Sequence, residues 1–237
     1  MIVLPKLINK TIARPYRNNF EENYLIPEME SGSLFWDKIY NLIRSYSFRS
    51  PVLRDIEKYI DPLSGYFGMR VHPVTLEAQY FHTGISLSLK SGRKIYPIAP
   101  GILEYSGYGA VNGYYILISH PEITTEDGYT LCSMYCHLKK PLIKFNSYQK
   151  MLREISLGSY PLISVEAKTH LGVASISGLA NENNPNLYLQ LSFRKYGEKP
   201  IVIDPMLAYY SQSKKNTTAD ITDPETIKNI FKKKAHA

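Results

Sequence analysis

From about Ser64 to Tyr210 the chain is written in short β-branched and aromatic runs, separated by glycine and turn-forming residues. The runs are Gly84–Leu89, Gly101–Tyr105, Gly113–Ser119, Tyr129–His137 and Asn186–Arg194. None is long enough to make a typical helix. Their number and punctuation predict a mainly β domain, of the sandwich or barrel-like kind. One interruption, Gln149–Ile155 inside the stretch Ser147–Leu157, has helical periodicity and reads as an amphipathic insertion between strands. A composition that is 44% hydrophobic and 12% aromatic, with 20 tyrosines, supplies a core and excludes a chain that stays unfolded. The most apolar stretches, such as Tyr114–Ile118, fall far short of the roughly 20 residues that span a bilayer.

The flanks follow a different period. Between Ser33 and Phe48 the residues Phe35, Trp36, Ile39, Tyr40, Ile43 and Tyr46 recur at helical spacing and define one buried stripe. A second short helix is expected over Pro51–Ile60, with Ser50 as its N-cap, Pro51 at its first position and Asp61-Pro62 ending it. Near the C-terminus, Thr222-Asp-Pro-Glu225 matches a capping box, followed by an apolar stripe of Ile227, Ile230 and Phe231. The chain therefore divides into an N-terminal helical extension (1–63), a β domain (64–210) and a basic tail with a short helix (211–237). Of the formal charge of +7, the last 24 residues hold +3, from six lysines against three acids. The nearly balanced remainder argues against a nucleic-acid surface, which would carry a basic stripe.

Cys132 and Cys136 lie four apart on one predicted strand, so their Cα atoms stand about 13 Å apart, beyond the roughly 7 Å reach of a disulfide. They read as small apolar residues. The apolar start Met1-Ile-Val-Leu is cut by Pro5 and Lys6, and no export signal is legible there. Either the usual signal is not used, or a leader is missing from this sequence.

Chemistry concentrates in two histidine contexts. The first is Gly65-Tyr-Phe-Gly-Met-Arg70-Val-His-Pro73 followed by Phe81-His82-Thr-Gly-Ile-Ser86, and the second is Tyr135-Cys-His137-Leu138. Between them come Ala99-Pro-Gly101 and Gly113–His120, and after them Gly172-Val-Ala-Ser-Ile-Ser-Gly178 and Asp204-Pro205. In this order the segments resemble the lysostaphin/LytM-type zinc metalloendopeptidases, whose catalytic domain has the duplicated hybrid motif fold. The resemblance covers Ser64 to Tyr210 and implies that fold, zinc, a peptidoglycan peptide substrate and a bacterial envelope or periplasmic location.

Carried over residue by residue, the resemblance makes His82 a retained metal ligand and His137 the retained histidine that assists the attacking water. Ser86 stands where the family has a ligand Asp. Aligning Ser192-Phe-Arg194 with the family's Glu-Ile-Arg puts Tyr188 and Gln190 where the family has the assisting and the ligating histidine. Arg70, His72 and Tyr135 fall at the binding cleft, and His72 is the candidate for a substitute ligand. Zinc in such a site takes about three imidazole or carboxylate donors plus a water. Serine, tyrosine and glutamine at three of the five positions remove that donor set, and without the metal nothing lowers the pKa of water toward about 7. His82 and His137 then read either as hydrogen-bonded histidines of an inherited polar cleft or as metal ligands.

Three readings follow. The leading one is a non-enzymatic binding or regulatory protein of the bacterial cell envelope, without a cofactor, that binds a cell-wall peptide or a partner protein. The second is an active zinc metalloendopeptidase with a non-standard ligand set, and the third a cytosolic interaction protein on the same scaffold.

Overall fold

Leu187, Leu189, Leu191 and Phe193 alternate with Asn186, Tyr188, Gln190, Ser192 and Arg194, the period-two pattern of a strand with two unlike faces. The computed structural model, which describes residues 34–61, 65–70, 80–143, 163–178 and 185–209, makes this strand, β10 (Asn186–Arg194), the centre of the molecule. On one side it pairs with β7 (Thr130–Leu138) over its length from Tyr188 to Arg194. On the other side its first half pairs with β3 (Ile85–Ser88) and its second half with β11 (Ile201–Ile203). Beyond β7 come β6 (Gly113–Thr124), β5 (Gly101–Gly109) and the short β8 (Ser164–Val165), all antiparallel. Two small antiparallel ladders stand apart from this sheet: β1 (Gly68–Arg70) with β2 (Tyr80–His82), and β4 (Lys94–Ile95) with β9 (Gly172–Val173). The mainly β architecture expected from the glycine-punctuated runs is the one observed, and each of the five predicted runs contributes a strand.

One face of the sheet carries the main core. Leu187, Leu189, Leu191 and Phe193 pack there with Ile85, Leu87, Ile116, Ile118, Leu131 and Tyr135. Helix α1 (Leu34–Ser45) joins the same core through Ile39 and Ile43, both fully buried. Acidic Asp37 in its first turn and basic Arg44 in its last complement the helix dipole.

The second predicted helix does not form over Pro51–Ile60. Only a 3-10 turn at Glu57–Tyr59 is present, and Leu53 adopts a left-handed φ of 56°. Ser50 does turn its hydroxyl back to the N–H groups of Val52 and Arg54, each at 3.4 Å, but no helix follows. The reason is tertiary: Arg49 N–H bonds to Ile98 O (2.7 Å) and Tyr96 N–H to Pro51 O (2.9 Å), so this segment is spent on pairing with the chain at 96–98. Val52, Ile56 and Ile60 still reach the core, the last through a bridge to Leu87. The predicted helices at Gln149–Ile155 and after Thr222 lie outside the described residues. Among the described residues no helix is long and apolar enough to cross a membrane.

Candidate functional site

The second face of the sheet holds Ser86, Tyr188 and Gln190 of the residues singled out from the sequence. Register sets them in rows across the strands: Ser86, Tyr188 and Cys136 in one, Gln190, Met134 and Leu117 in the next, Ser192, Cys132 and Ser119 in the third. The floor is a small apolar cluster of Leu117, Cys132, Met134 and Cys136, with Tyr115 and Tyr188 packed against it.

His82 arrives from β2, just before the turn into β3, and is only 3% exposed. Its Nδ1–H donates to the carbonyl of Tyr66 at 2.8 Å. A carbonyl can only accept, so in the neutral ring Nε2 carries the lone pair and receives the Ser86 hydroxyl, at 3.3 Å. Next to it, Thr83 Oγ1 and the Tyr188 hydroxyl are 2.7 Å apart. Gln190 donates from Nε2 to Thr83 Oγ1 (2.8 Å) and to the Tyr188 hydroxyl (3.3 Å). The rings of His82 and Tyr188 lie 5.3 Å apart, tilted by 53°. Two hydrogen-bonded sets thus lie side by side, His82 with Ser86 and Thr83 with Tyr188 and Gln190, in contact through the His82 and Tyr188 rings.

His137 is placed by an irregularity. The β6–β7 register shifts between Tyr114, which faces Leu138, and Ile116, which faces Tyr135. The extra residue on β7 is a bulge, and His137 there takes a φ of 62°, unusual for a residue with a Cβ. Three bonds hold it: its N–H to Asn112 O (2.8 Å), its O from Ser175 N–H (2.9 Å), and its Nδ1–H to Ser177 O (2.8 Å). Ser177 is pressed onto the start of β6, where Gly113 has a φ of 62° and any Cβ would overlap Ser177. Burial lowers the His137 pKa, with the Ser177 carbonyl acting in the opposite sense. The ring is therefore neutral at pH 7, with Nε2 as its open lone pair. Its hydrogen bonds run to 112, 175 and 177, and none joins it to His82, Thr83, Tyr188 or Gln190.

The ladder to β10 corrects the sequence reading of which face is the cleft, and the bulge parts His137 from Tyr135. Strict alternation puts Tyr135 and His137 on one face and Cys136 on the other. Instead Tyr135 is fully buried in the main core, its hydroxyl accepting the Ile98 N–H at 2.8 Å, so it does not line the cleft. Cys136 borders the cluster, directly across from Tyr188. Its thiol is pushed up by burial and stays protonated. Arg70 is placed through its backbone, opposite Tyr80 in the β1–β2 ladder, and His72 lies outside the described residues.

Of the other histidines, His120 is a core residue on the first face. It donates from Nδ1 to Pro100 O (2.7 Å), meets Ser133 Oγ through Nε2 (2.8 Å), and burial lowers its pKa to about 4. His170 bonds to Gly172 O. Sequence reasoning missed Thr83, the hub of the cluster. The one available signal was its position between His82 and Gly84.

The family resemblance implies zinc, and the donor chemistry can be tested against it. Around His82 stand a serine hydroxyl bonded to it, and a threonine hydroxyl, a phenol and a carboxamide bonded to one another, none of them charged. Among the described residues no group of three or more His, Cys, Asp or Glu side chains could hold a metal ion. These residues do not fit a zinc site of three imidazole or carboxylate donors.

No protein-family model matches the chain, and no curated protein is similar to it at a significant level. Solved structures similar to it include a zinc-containing peptidase from Vibrio cholerae, at 22% identity and a TM-score of 0.45. That likeness covers 68% of this chain and 40% of the other, so the chain spans less than half of the Vibrio structure. The catalytic domain of the antimicrobial peptidase lysostaphin from Staphylococcus simulans matches at 16% identity, a TM-score of 0.42, and 66% and 95% coverage. A complex of SpoIIIAH and SpoIIQ matches at 14%, a TM-score of 0.45, and 68% and 98% coverage. At such identities and scores these are likenesses alone, and what the site can do follows from its own residues.

Proposed function

We propose that this chain is a non-enzymatic binding domain of LytM-peptidase-like architecture, acting at the bacterial cell envelope on a partner protein or a cell-wall peptide. One observation carries this reading: at the positions where the resemblance puts acidic and imidazole groups, Ser86 bonds to His82, and Tyr188 and Gln190 bond to Thr83, so uncharged hydroxyl and amide groups stand in their place. Such a cluster presents hydrogen-bonding groups and one aromatic ring to a ligand. Its hydroxyl, phenol and amide groups are not the imidazole or carboxylate donors that would hold a metal able to bring water to the required pKa, and His137 bonds to Ser177 O, apart from them.

Metal content and reconstruction together test the reading. Purified chain dialysed against zinc is expected to retain less than stoichiometric metal and to release no peptide from cross-linked peptidoglycan, while still co-sedimenting with purified cell-wall material or a partner. The triple variant Ser86→Asp, Tyr188→His, Gln190→His is expected to gain zinc, because it restores three donors beside His82. Stoichiometric zinc in the unaltered chain, together with peptide hydrolysis that His82→Ala or His137→Ala abolishes, would refute the proposal and favour the zinc endopeptidase.

A further inference from the structure

Among the described residues three buried side-chain atoms lack any hydrogen-bond partner: Asn186 Oδ1, Gln190 Oε1 and Arg194 Nη2. Buried polar atoms of this kind are rare, and each is costly to leave unpaired. All three belong to β10, at positions four residues apart, and so lie on the same face as Tyr188. Three unrelated packing faults would not fall on one face of one strand. A face built to be completed by a polar ligand would produce this pattern.

Arg194 identifies the ligand's chemistry. Its Nε–H donates to Ser192 Oγ at 3.1 Å, and Nη2, on the same edge of the guanidinium, has no acceptor. Ser192 is 2% exposed, and because its oxygen accepts from Nε its own proton remains to be donated. Two donors therefore stand side by side, one of them on a permanent cation. No ion pair forms to Arg194 among the described residues. Glu104, which like Arg194 acts on Cys132, is bonded by the Ser119 hydroxyl instead. Cys132, in register with Ser192, is a buried neutral thiol and supplies no counter-charge.

We infer that Arg194 and Ser192 form a carboxylate-binding site on the second face of the sheet, about 13 Å along β10 from Gln190 at about 3.3 Å per residue. One carboxylate oxygen takes the Nη2–H and the other the Ser192 hydroxyl, a charge-assisted pair that a neutral amide cannot match. The remainder of the ligand runs along β10, where Gln190 and Asn186 each have an atom to pair. This assignment rests on the reading of the face as a binding cleft and adds the class of group it recognises.

The test uses the full chain, nitrogen-15 labelled, titrated with N-acetyl-alanyl-alanine and separately with its C-terminal amide, with chloride at matched ionic strength as control. The carboxylate is expected to shift the Arg194 Nε–H resonance saturably, and the amide and chloride to leave it in place. Arg194→Gln and Ser192→Ala should each weaken the carboxylate at least tenfold, and Glu104→Gln, which removes a nearby like charge, should tighten it. Circular dichroism checks that each variant is folded. An equal response to the amide or to chloride, no saturable shift, or full affinity in folded Arg194→Gln would overturn the site. Cell-wall or partner binding that survives Arg194→Gln removes the carboxylate site and leaves the binding-domain reading intact. Zinc-dependent hydrolysis with carboxylate binding intact does the reverse.

Discussion

Removing the hydroxyl of Tyr135 separates a core role from a cleft role. Tyr135 and Ile98 are both fully buried, and the phenol accepts the Ile98 N–H at 2.8 Å. Tyr135→Phe keeps the ring's volume and leaves that N–H in the interior with nothing to bond. An orphaned buried donor costs about 1–3 kcal/mol. In a chain of this size about 1 kcal/mol moves the melting temperature by about 2–4 °C, so a loss near 2 kcal/mol lowers it by roughly 4–8 °C. Thermal melts by circular dichroism at pH 7.5 measure the shift, and co-sedimentation with cell-wall material below the melting range measures binding. The expected outcome is a lowered melting temperature with binding unchanged. A melting temperature within about 1 °C of the unaltered chain, far below the shift expected from the orphaned donor, would refute the reasoning. Weakened binding alongside it would return Tyr135 to the cleft.

Three further outcomes follow from buried groups. His120 is held neutral by burial, with a folded pKa of about 4 against about 6.5 when unfolded, so the unfolded chain binds the extra proton first. Its contribution is fully present above about pH 6.5 and is lost as the pH falls toward 4; His120→Asn, which keeps an N–H for Pro100, should flatten the fall in urea midpoint between pH 7.5 and 4.5, and an unchanged fall would contradict this. Gly113→Ala places a methyl onto Ser177 at a left-handed φ and should destabilise by more than about 1 kcal/mol in urea titrations, with a changed His137 titration by NMR; an unaltered midpoint would disprove the close approach. Cys132 and Cys136 are free and buried, the Cys132 thiol pushed up to about 12 by burial, so a thiol reagent at pH 8 should find neither in the folded chain and both in urea.

The strands were legible because their signal is local. Period-two alternation at Asn186–Arg194 gave β10 its bounds and put Tyr188 on one face with Gln190, whereas His82 and Ser86 meet across the turn between β2 and β3 and not along one strand. It failed wherever partner strands decide. The bulge on β7 exists because β6 pairs with Leu138 and Tyr135 out of step, and nothing within Tyr129–His137 announces it. The bulge displaces His137 and Leu138, while Tyr135 and Cys136 keep the alternation running from Leu131, core and second face in turn. The helix expected over Pro51–Ile60 failed for the same reason: Ser50 and Pro51 are good helix-start residues, but Arg49 and Pro51 are taken by backbone bonds to a segment more than forty positions away. Thr83 was overlooked because a threonine between a histidine and a glycine has no meaning until Gln190 and Tyr188 are folded onto it.

The two ends of the polar row on β10 differ in energetic character, and the difference bears on what the face recognises. Around Gln190 the groups are neutral and supply one another's donors and acceptors, so the cluster is stable without a cation. Among the described residues there, the buried Gln190 Oε1 stays unpaired. At Arg194 the group is permanently charged, partly withdrawn from water, and paired on one N–H alone. A buried charge without a partner costs far more than a neutral amide in the same position. If the face binds a ligand as proposed, the strongest discrimination is expected at the Arg194 end. On the proposed reading, Tyr188, Gln190 and Ser86 form an uncharged contact, and the decisive charge stands four positions further along the strand, at Arg194.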